Sequence, residues 1–388
     1  MSTRPTLYTP AFLCLFLANL CMVASFTAFF LLPLFIGERG GSEGDIGVVM
    51  GMFAMASALC RPWIAEMIDR IGRKRSFTIG SLIMTLMPLL YLLLQGELQD
   101  FYGWLLLIRV VHGVGLAICF TAVFTFIADI LPEGRLNEGI GMFGVSGLTG
   151  MAIGPALGEP VMEVYGFTAF FLMASALAGC AVLLHLPVKV VQNPDPQLSA
   201  SPSFFALLRR RKLMLIGGLS LIFGFGLAAT GSFVAPLAEE RGLRHISFYY
   251  LFYSLAAVSV RFYAGRLADR IGEKLILPWG LGLAVAGLLL LPLARGDVLL
   301  VVAGLLFGTG HGLIFPTLNA MAIRHESYAV RGKVTGIFTG GIDSGIFIGS
   351  LVLGVVGEWI GIGGLFVCAG LLMFSGFLVA RVDVAEGR

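Results

Sequence analysis

The chain has 388 residues, 57% of them hydrophobic and 13% charged, with a formal net charge of +3. That charged share is about half of what a soluble domain carries, and a soluble protein of this length would have too little polar surface to cover itself. A water-soluble domain is therefore excluded, and an integral membrane protein remains. Its 52 glycines would weaken ordinary helices, but small residues let membrane helices approach closely.

A membrane-crossing helix needs about 20 apolar residues. Twelve stretches qualify, over 11–36, 45–67, 76–95, 102–128, 138–158, 167–187, 213–236, 247–265, 275–294, 298–323, 334–357 and 361–381. No signal-peptide pattern precedes the first, so it is expected to stay in the mature protein. All six cysteines sit inside apolar stretches without near partners. They read as buried thiols, with no disulfide or zinc site expected. Between the sixth and seventh stretches lies a segment rich in Pro, Ser and Gln that ends in Arg209, Arg210, Arg211 and Lys212. It reads as a linker over 188–212, dividing the chain into six-helix halves, 1–187 and 213–388.

The basic residues orient the chain. With the N-terminus in the cytoplasm, the cytoplasmic segments hold nineteen Lys and Arg, and the outer segments only Arg39, Arg241, Arg244 and Arg295. The positive-inside rule then places both termini in the cytoplasm.

The halves echo each other. RPWIAEMIDRIGRK (61–74) joins spans 2 and 3, and RFYAGRLADRIGEK (261–274) joins spans 8 and 9. His112-Gly113 in span 4 matches His311-Gly312 in span 10, and 141–154 in span 5 weakly matches 336–349 in span 11. Two six-span halves of the same orientation are parallel repeats about a pseudo-two-fold axis along the membrane normal, an arrangement that places a substrate site near the midplane. The expected fold is an all-α membrane protein of twelve transmembrane helices.

In the first loop, Gly72 permits a tight turn. Arg73, Lys74 and Arg75 hold the loop on the cytoplasmic side. Asp69, at a helix end, can pair with basic neighbours or a helix N-terminus. A purely topological charge cluster is the plain alternative, although topology requires neither the Asp nor the Gly.

At these residues the sequence resembles the major facilitator superfamily of secondary transporters, over nearly its whole length. The loop reads Ala65-x-x-x-Asp69-Arg70-Ile71-Gly72-Arg73-Lys74, with Ala where the family pattern has Gly. The second copy is Gly265-x-x-x-Asp269-Arg270-Ile271-Gly272, followed by Glu273 where Arg is usual. Arg109-x-x-x-Gly113-x-Gly115 is similar to the family's span-4 arginine motif. Gly150-x-x-x-Gly154-Pro155-x-x-Gly158 resembles a motif of drug/proton antiporters, with Glu159 in place of its final Gly. The resemblance implies that the loop latches the halves together and that Arg109 takes part in proton coupling. It also implies that spans 1, 4, 7 and 10 line the cavity, and that span 2 lies against span 11 and span 8 against span 5.

Charges inside spans carry the functional expectations. Asp343 lies about ten residues into span 11, roughly 15 Å deep, beyond the reach of its short side chain. A charge at the bilayer centre costs about 2.5–3.5 kcal/mol, so Asp343 should face a partner or a wet cavity. It is a candidate proton carrier; a permanently paired structural carboxylate is the alternative. Arg61 and Arg261 sit at the same offset in the two copies, and either could snorkel. The resemblance brings Arg61 near Asp343. The repeat position of Asp343 in span 5 is Leu148, which leaves Arg261 without a matching partner. Arg109 could also snorkel. His112 and His311 read as satisfied core histidines or cavity residues. Asn19 and Asn319 are weaker candidates of the same kind. Phe26, Phe29, Phe30, Phe223, Phe225 and Phe233 would suit an aromatic ligand, but most read as lipid-facing.

Gly139-Ile140-Gly141-Met142-Phe143-Gly144 matches a dinucleotide-binding pattern without the strand that pattern needs. No P-loop, metal-ligand spacing or nucleophile elbow occurs, so neither an enzyme nor a cofactor is expected. The sequence reads as a monomeric alternating-access transporter in a bacterial inner membrane, exchanging a small-molecule substrate for protons, with no nucleic-acid partner. An importer or lipid flippase of the same fold is the nearest alternative. A non-transporting sensor or scaffold is the alternative from another class, and no large soluble domain favours it.

Overall fold

A computed structural model describes residues 6–132, 135–189, 204–271, 273–324, 326 and 328–386. Its helices are α1 (Pro10–Ala28), α2 (Leu32–Gly37), α3 (Glu43–Ile71), α4 (Arg73–Leu90), α5 (Leu98–Ile130), α6 (Leu136–His185), α7 (Phe204–Leu208), α8 (Arg211–Glu240), α9 (Ile246–Ile271), α10 (Glu273–Leu290), α11 (Asp297–Ile323) and α12 (Tyr328–Glu386).

Local chemistry explains several ends. Thr9 caps α1 by accepting from the Phe12 amide at 3.2 Å, and Pro10 follows at the position where its missing N–H costs nothing. Glu97 and Asp100 form a reciprocal capping box at the start of α5.

Nine helical segments among the described residues are long and apolar enough to cross a membrane, with α1 and α2 forming one of them. Two of the nine contain a backbone reversal. Gly166 (φ 75°, ψ −179°) interrupts α6 and Gly361 (φ 79°, ψ 165°) interrupts α12, in a region of φ/ψ space open essentially to glycine alone. Each of these helices therefore comprises two spans. With the shorter apolar helix Ile246–Phe262, the count is the twelve expected from the sequence. The two reversals lie at matching places in the halves, so the repeat extends beyond its motifs.

The chain forms two compact units. Unit 1 comprises Met1–Phe30 and Leu59–Pro196, and unit 2 comprises Leu31–Ala58 and Gln197–Arg388. In unit 1, α1 packs along the first part of α6. A Cβ on Gly150 would come within 2.6 Å of the Leu20 carbonyl oxygen, and one on Gly154 within 2.7 Å of the Ala28 nitrogen. The Thr27 hydroxyl crosses this contact to the Gly150 carbonyl at 3.1 Å. Unit 2 repeats the scheme with α8 and α12, where a Cβ on Gly341 would come within 2.8 Å of the Gly217 carbonyl oxygen.

Leu31–Ala58 groups with unit 2 rather than with the first half of the sequence. Small residues explain why. A Cβ on Gly354 would lie 2.8 Å from the Glu43 carbonyl oxygen and 3.1 Å from the Gly47 Cα, so α3 and α12 run nearly backbone to backbone there. The Glu358 carboxylate accepts from the Ser42 hydroxyl at 2.5 Å and the Gly44 amide at 3.2 Å.

Of the expected linker, 190–203 lies outside the described residues. Its basic end is folded onto unit 2: Arg210 pairs with Glu326 at 3.2 Å, and the Lys212 ammonium donates to the Arg324 carbonyl at 2.8 Å.

Candidate functional site

The loop between α3 and α4 turns on Gly72, whose φ of 90° and ψ of 151° would strain any side chain on backbone grounds alone. Arg73 then pairs with Asp129 near the end of α5, Nε to Oδ2 2.7 Å, with 29% and 11% of the side chains exposed. The Lys74 ammonium donates to the Leu186 carbonyl at 2.6 Å, and Arg70 pairs with Glu66 one turn before it. The loop is thus an ion-paired clasp within unit 1. In the second copy, Gly272 and the side chains of Asp269 and Arg270 lie outside the described residues, as does the side chain of Asp69. At the start of α6, Arg135 makes a two-pronged contact with Glu138 at 2.9 and 2.7 Å, which raises the guanidinium pKa above its ordinary value.

Inside unit 1, α5 carries Arg109 and His112 one turn apart. Arg109 is 2% exposed; it faces Tyr91 at the end of α4, and its guanidinium lies 6.0 Å from the Phe29 ring. It is buried beneath aromatic rings rather than snorkelling to a headgroup. His112 packs edge-on against Phe29, centroid to centroid 4.8 Å, and Tyr91 stacks on Phe171 at 4.9 Å. Asn19 on α1 donates to the Ser146 hydroxyl at 2.8 Å, and Ser146 passes the chain to the Phe143 carbonyl.

Unit 2 holds the counterpart. His311 packs edge-on against Phe223, centroid to centroid 5.1 Å, as His112 does against Phe29. Its polar partner differs: Nδ1 hydrogen-bonds the Tyr253 hydroxyl of α9. Arg261, two turns further along α9, holds its guanidinium 5.7 Å from the Phe315 ring. Asn319 lies one turn beyond Phe315 on α11, its Oδ1 buried and without a hydrogen-bond partner among the described residues.

Asp343 stands fifteen residues after Tyr328, the first residue of α12, roughly 22 Å along the helix. Its Oδ2 accepts from the Ser57 hydroxyl of α3 at 3.0 Å. Ser57 is 6% exposed and Asp343 is half-buried, and a hydrogen bond to a carboxylate is stronger than one between neutral groups.

Ser57, Tyr91, Tyr253 and the role of Asp129 were not found from the sequence. Three tyrosines within five residues of an apolar stretch (Tyr249, Tyr250 and Tyr253) were a signal that polar aromatic chemistry concentrates on α9; Ser57 offered none. The phenylalanines also correct an expectation. Phe29, Phe223, Phe225 and Phe233 are buried rather than lipid-facing; Phe29 packs among Tyr91, His112, Phe170 and Phe171, and Phe223 against His311.

Twelve spans in two repeats, with a charged turn and buried polar residues inside the halves, match one known family. The model of the Major Facilitator Superfamily matches residues 14–328. The chain belongs to the Major Facilitator Superfamily. It is 23% identical over 369 residues to the staphylopine export protein of Staphylococcus aureus (strain Mu50 / ATCC 700699), covering 90% of each chain. It is also 23% identical over 351 residues to the quinolone resistance protein NorA of Staphylococcus aureus, covering 84% of each. Among solved structures, the nucleoside transporter NupG superposes with a TM-score of 0.75 at 14% identity, covering 96% of this chain and 98% of that one. This superfamily member is a multi-pass membrane protein and a secondary transporter of small molecules rather than an enzyme.

Proposed function

We propose that this transporter exports its substrate across a bacterial inner membrane in exchange for protons, with both termini cytoplasmic, and that Asp343 carries the proton. The observation that carries the reading is the Asp343–Ser57 contact. A carboxylate deep in a membrane helix needs a polar partner while charged. Protonation removes the charge, weakens what the carboxylate holds, and so biases the two-state element that alternating access requires. Arg61, at the repeat offset of Arg261, is the proposed cationic partner, and Arg109 the accessory. Export is supported by the Gly150, Gly154, Pro155, Gly158 motif and by the similarity to the staphylopine export protein.

The test uses everted membrane vesicles with an acid interior and two probes, staphylopine and a quinolone. Uptake of either that collapses with a protonophore, and that Asp343→Asn abolishes while thermal-shift binding persists, is the expected result. Protonophore-insensitive uptake, or normal proton-driven uptake by Asp343→Asn, would sink the reading.

A further inference from the structure

We infer that Arg261 is an anion-recognising residue and that the substrate carries a carboxylate on an aromatic body. The inference rests on the transport reading and deepens it by naming a substrate class.

Arg261 is a half-buried cation on a membrane helix. Among the described residues it takes part in no ion pair. Its Nε is shut off from solvent and has no hydrogen-bond partner among those residues. A partly shielded charge without a counter-charge is unfavourable, and a charge kept inside a span points to a substrate or ion pathway.

The surroundings define what could neutralise it. Phe315 lies beneath the guanidinium at 5.7 Å, and Phe338 meets Phe315 edge to face at 5.0 Å. The tilted His311 ring sits 5.8 Å from Phe315 and is itself held by Tyr253. His311, Phe315 and Asn319 follow at four-residue intervals and share one face of α11. That face therefore presents rings and, at Asn319, a buried acceptor without a donor among the described residues. A guanidinium binds a planar carboxylate through two parallel N–H donors, and the unused Nε–H is one of that pair. The Phe315 ring beside the guanidinium offers an aromatic face to the body of the same ligand.

The probes are 1-hydroxy-2-naphthoate, its uncharged amide, and 1-naphthyl phosphate, added to purified protein in detergent without any gradient. Thermal-shift titration should show stabilisation by the carboxylate and none by the amide. The shift should be lost in Arg261→Gln, an affinity loss of roughly tenfold or more, and partly kept in Arg261→Lys. Should Arg261→Gln fail to fold, Phe315→Leu is to weaken carboxylate binding several-fold. Equal stabilisation by acid and amide, a shift with the phosphate but not the carboxylate, no shift with the carboxylate, or unchanged binding in Arg261→Gln or Phe315→Leu overturns the inference. Because no proton gradient enters this measurement, failure of proton-driven export in vesicles leaves its outcome untouched, and the converse also holds.

Discussion

Ser57 and Asp343 stand 286 residues apart in sequence and 3.0 Å apart in space, hydroxyl to carboxylate. A hydrogen bond to a charged group contributes about 1.5–3 kcal/mol. Ser57→Ala should therefore lower the thermal stability of the purified protein. A double-mutant cycle with Asp343→Ala should give a coupling of about 1–2 kcal/mol. The proposed partnership with Arg61 predicts that Arg61→Ala/Asp343→Asn is more stable than Arg61→Ala alone, because no unpaired charge remains. Additive stability effects in both cycles would leave Asp343 without the roles assigned to it.

The Arg73–Asp129 pair is partly shielded, with 29% and 11% of the side chains exposed. A partly exposed pair should couple by about 1 kcal/mol, between the values for surface and buried pairs. Arg73→Asp and Asp129→Arg should each destabilise, and the exchange Arg73→Asp/Asp129→Arg should recover part of the loss. Melting temperatures of the four proteins measure this. No recovery in the exchange would mean that the loop needs each residue at its own place.

Nothing lies within 4 Å of a Cβ built on Gly72, yet its φ is +90°. The cost of a side chain there is purely conformational, about 1–3 kcal/mol. Gly72→Ala and Gly72→Val should therefore destabilise alike, and both should impair transport more than membrane expression. A parallel fall in transport and expression would make the turn a folding element only.

Gly154 and Gly141 lie on the same helix in opposite circumstances. A Cβ on Gly154 would meet the backbone of α1, whereas one on Gly141 would meet nothing within 4 Å. Gly154→Ala should cost about 1–3 kcal/mol through overpacking. Gly141→Ala should be neutral or slightly stabilising, since alanine is the better helix former. Thermal unfolding in detergent separates them, and equal effects would contradict the close packing of α1 and α6.

The proposed orientation predicts where single cysteines can be labelled. Placed at Arg135 or Arg75 in a cysteine-free background, they should react with an impermeant thiol reagent only from the cytoplasmic side. Placed at Arg39 or Arg295, they should react only from outside. Reaction of the first pair in intact cells would reverse the topology.

Hydrophobic patterning was sufficient to read the twelve spans, because crossing a bilayer demands long apolar helices whatever they pack against. The doubled Asp-Arg-Ile-Gly turn showed the repeat, and Gly72 announced a backbone conformation that other residues resist. Asp343, Arg261 and Arg109 stood out because charge inside an apolar stretch is expensive wherever the helix lies. What these residues meet was a different matter. Ser57 against Asp343, Tyr91 against Arg109, Tyr253 against His311 and Asp129 against Arg73 each join separate helices, and no periodicity along one helix encodes the facing side of another. The grouping of Leu31–Ala58 with the second unit was hidden for the same reason. It arises from the close approach of α3 to α12 at Gly47 and Gly354, a packing event between segments about 300 residues apart. Burial of Phe29 and Phe223 likewise depended on which rings of other helices they meet, His112 and Phe171 for Phe29 and His311 for Phe223, which only the assembled helices decide.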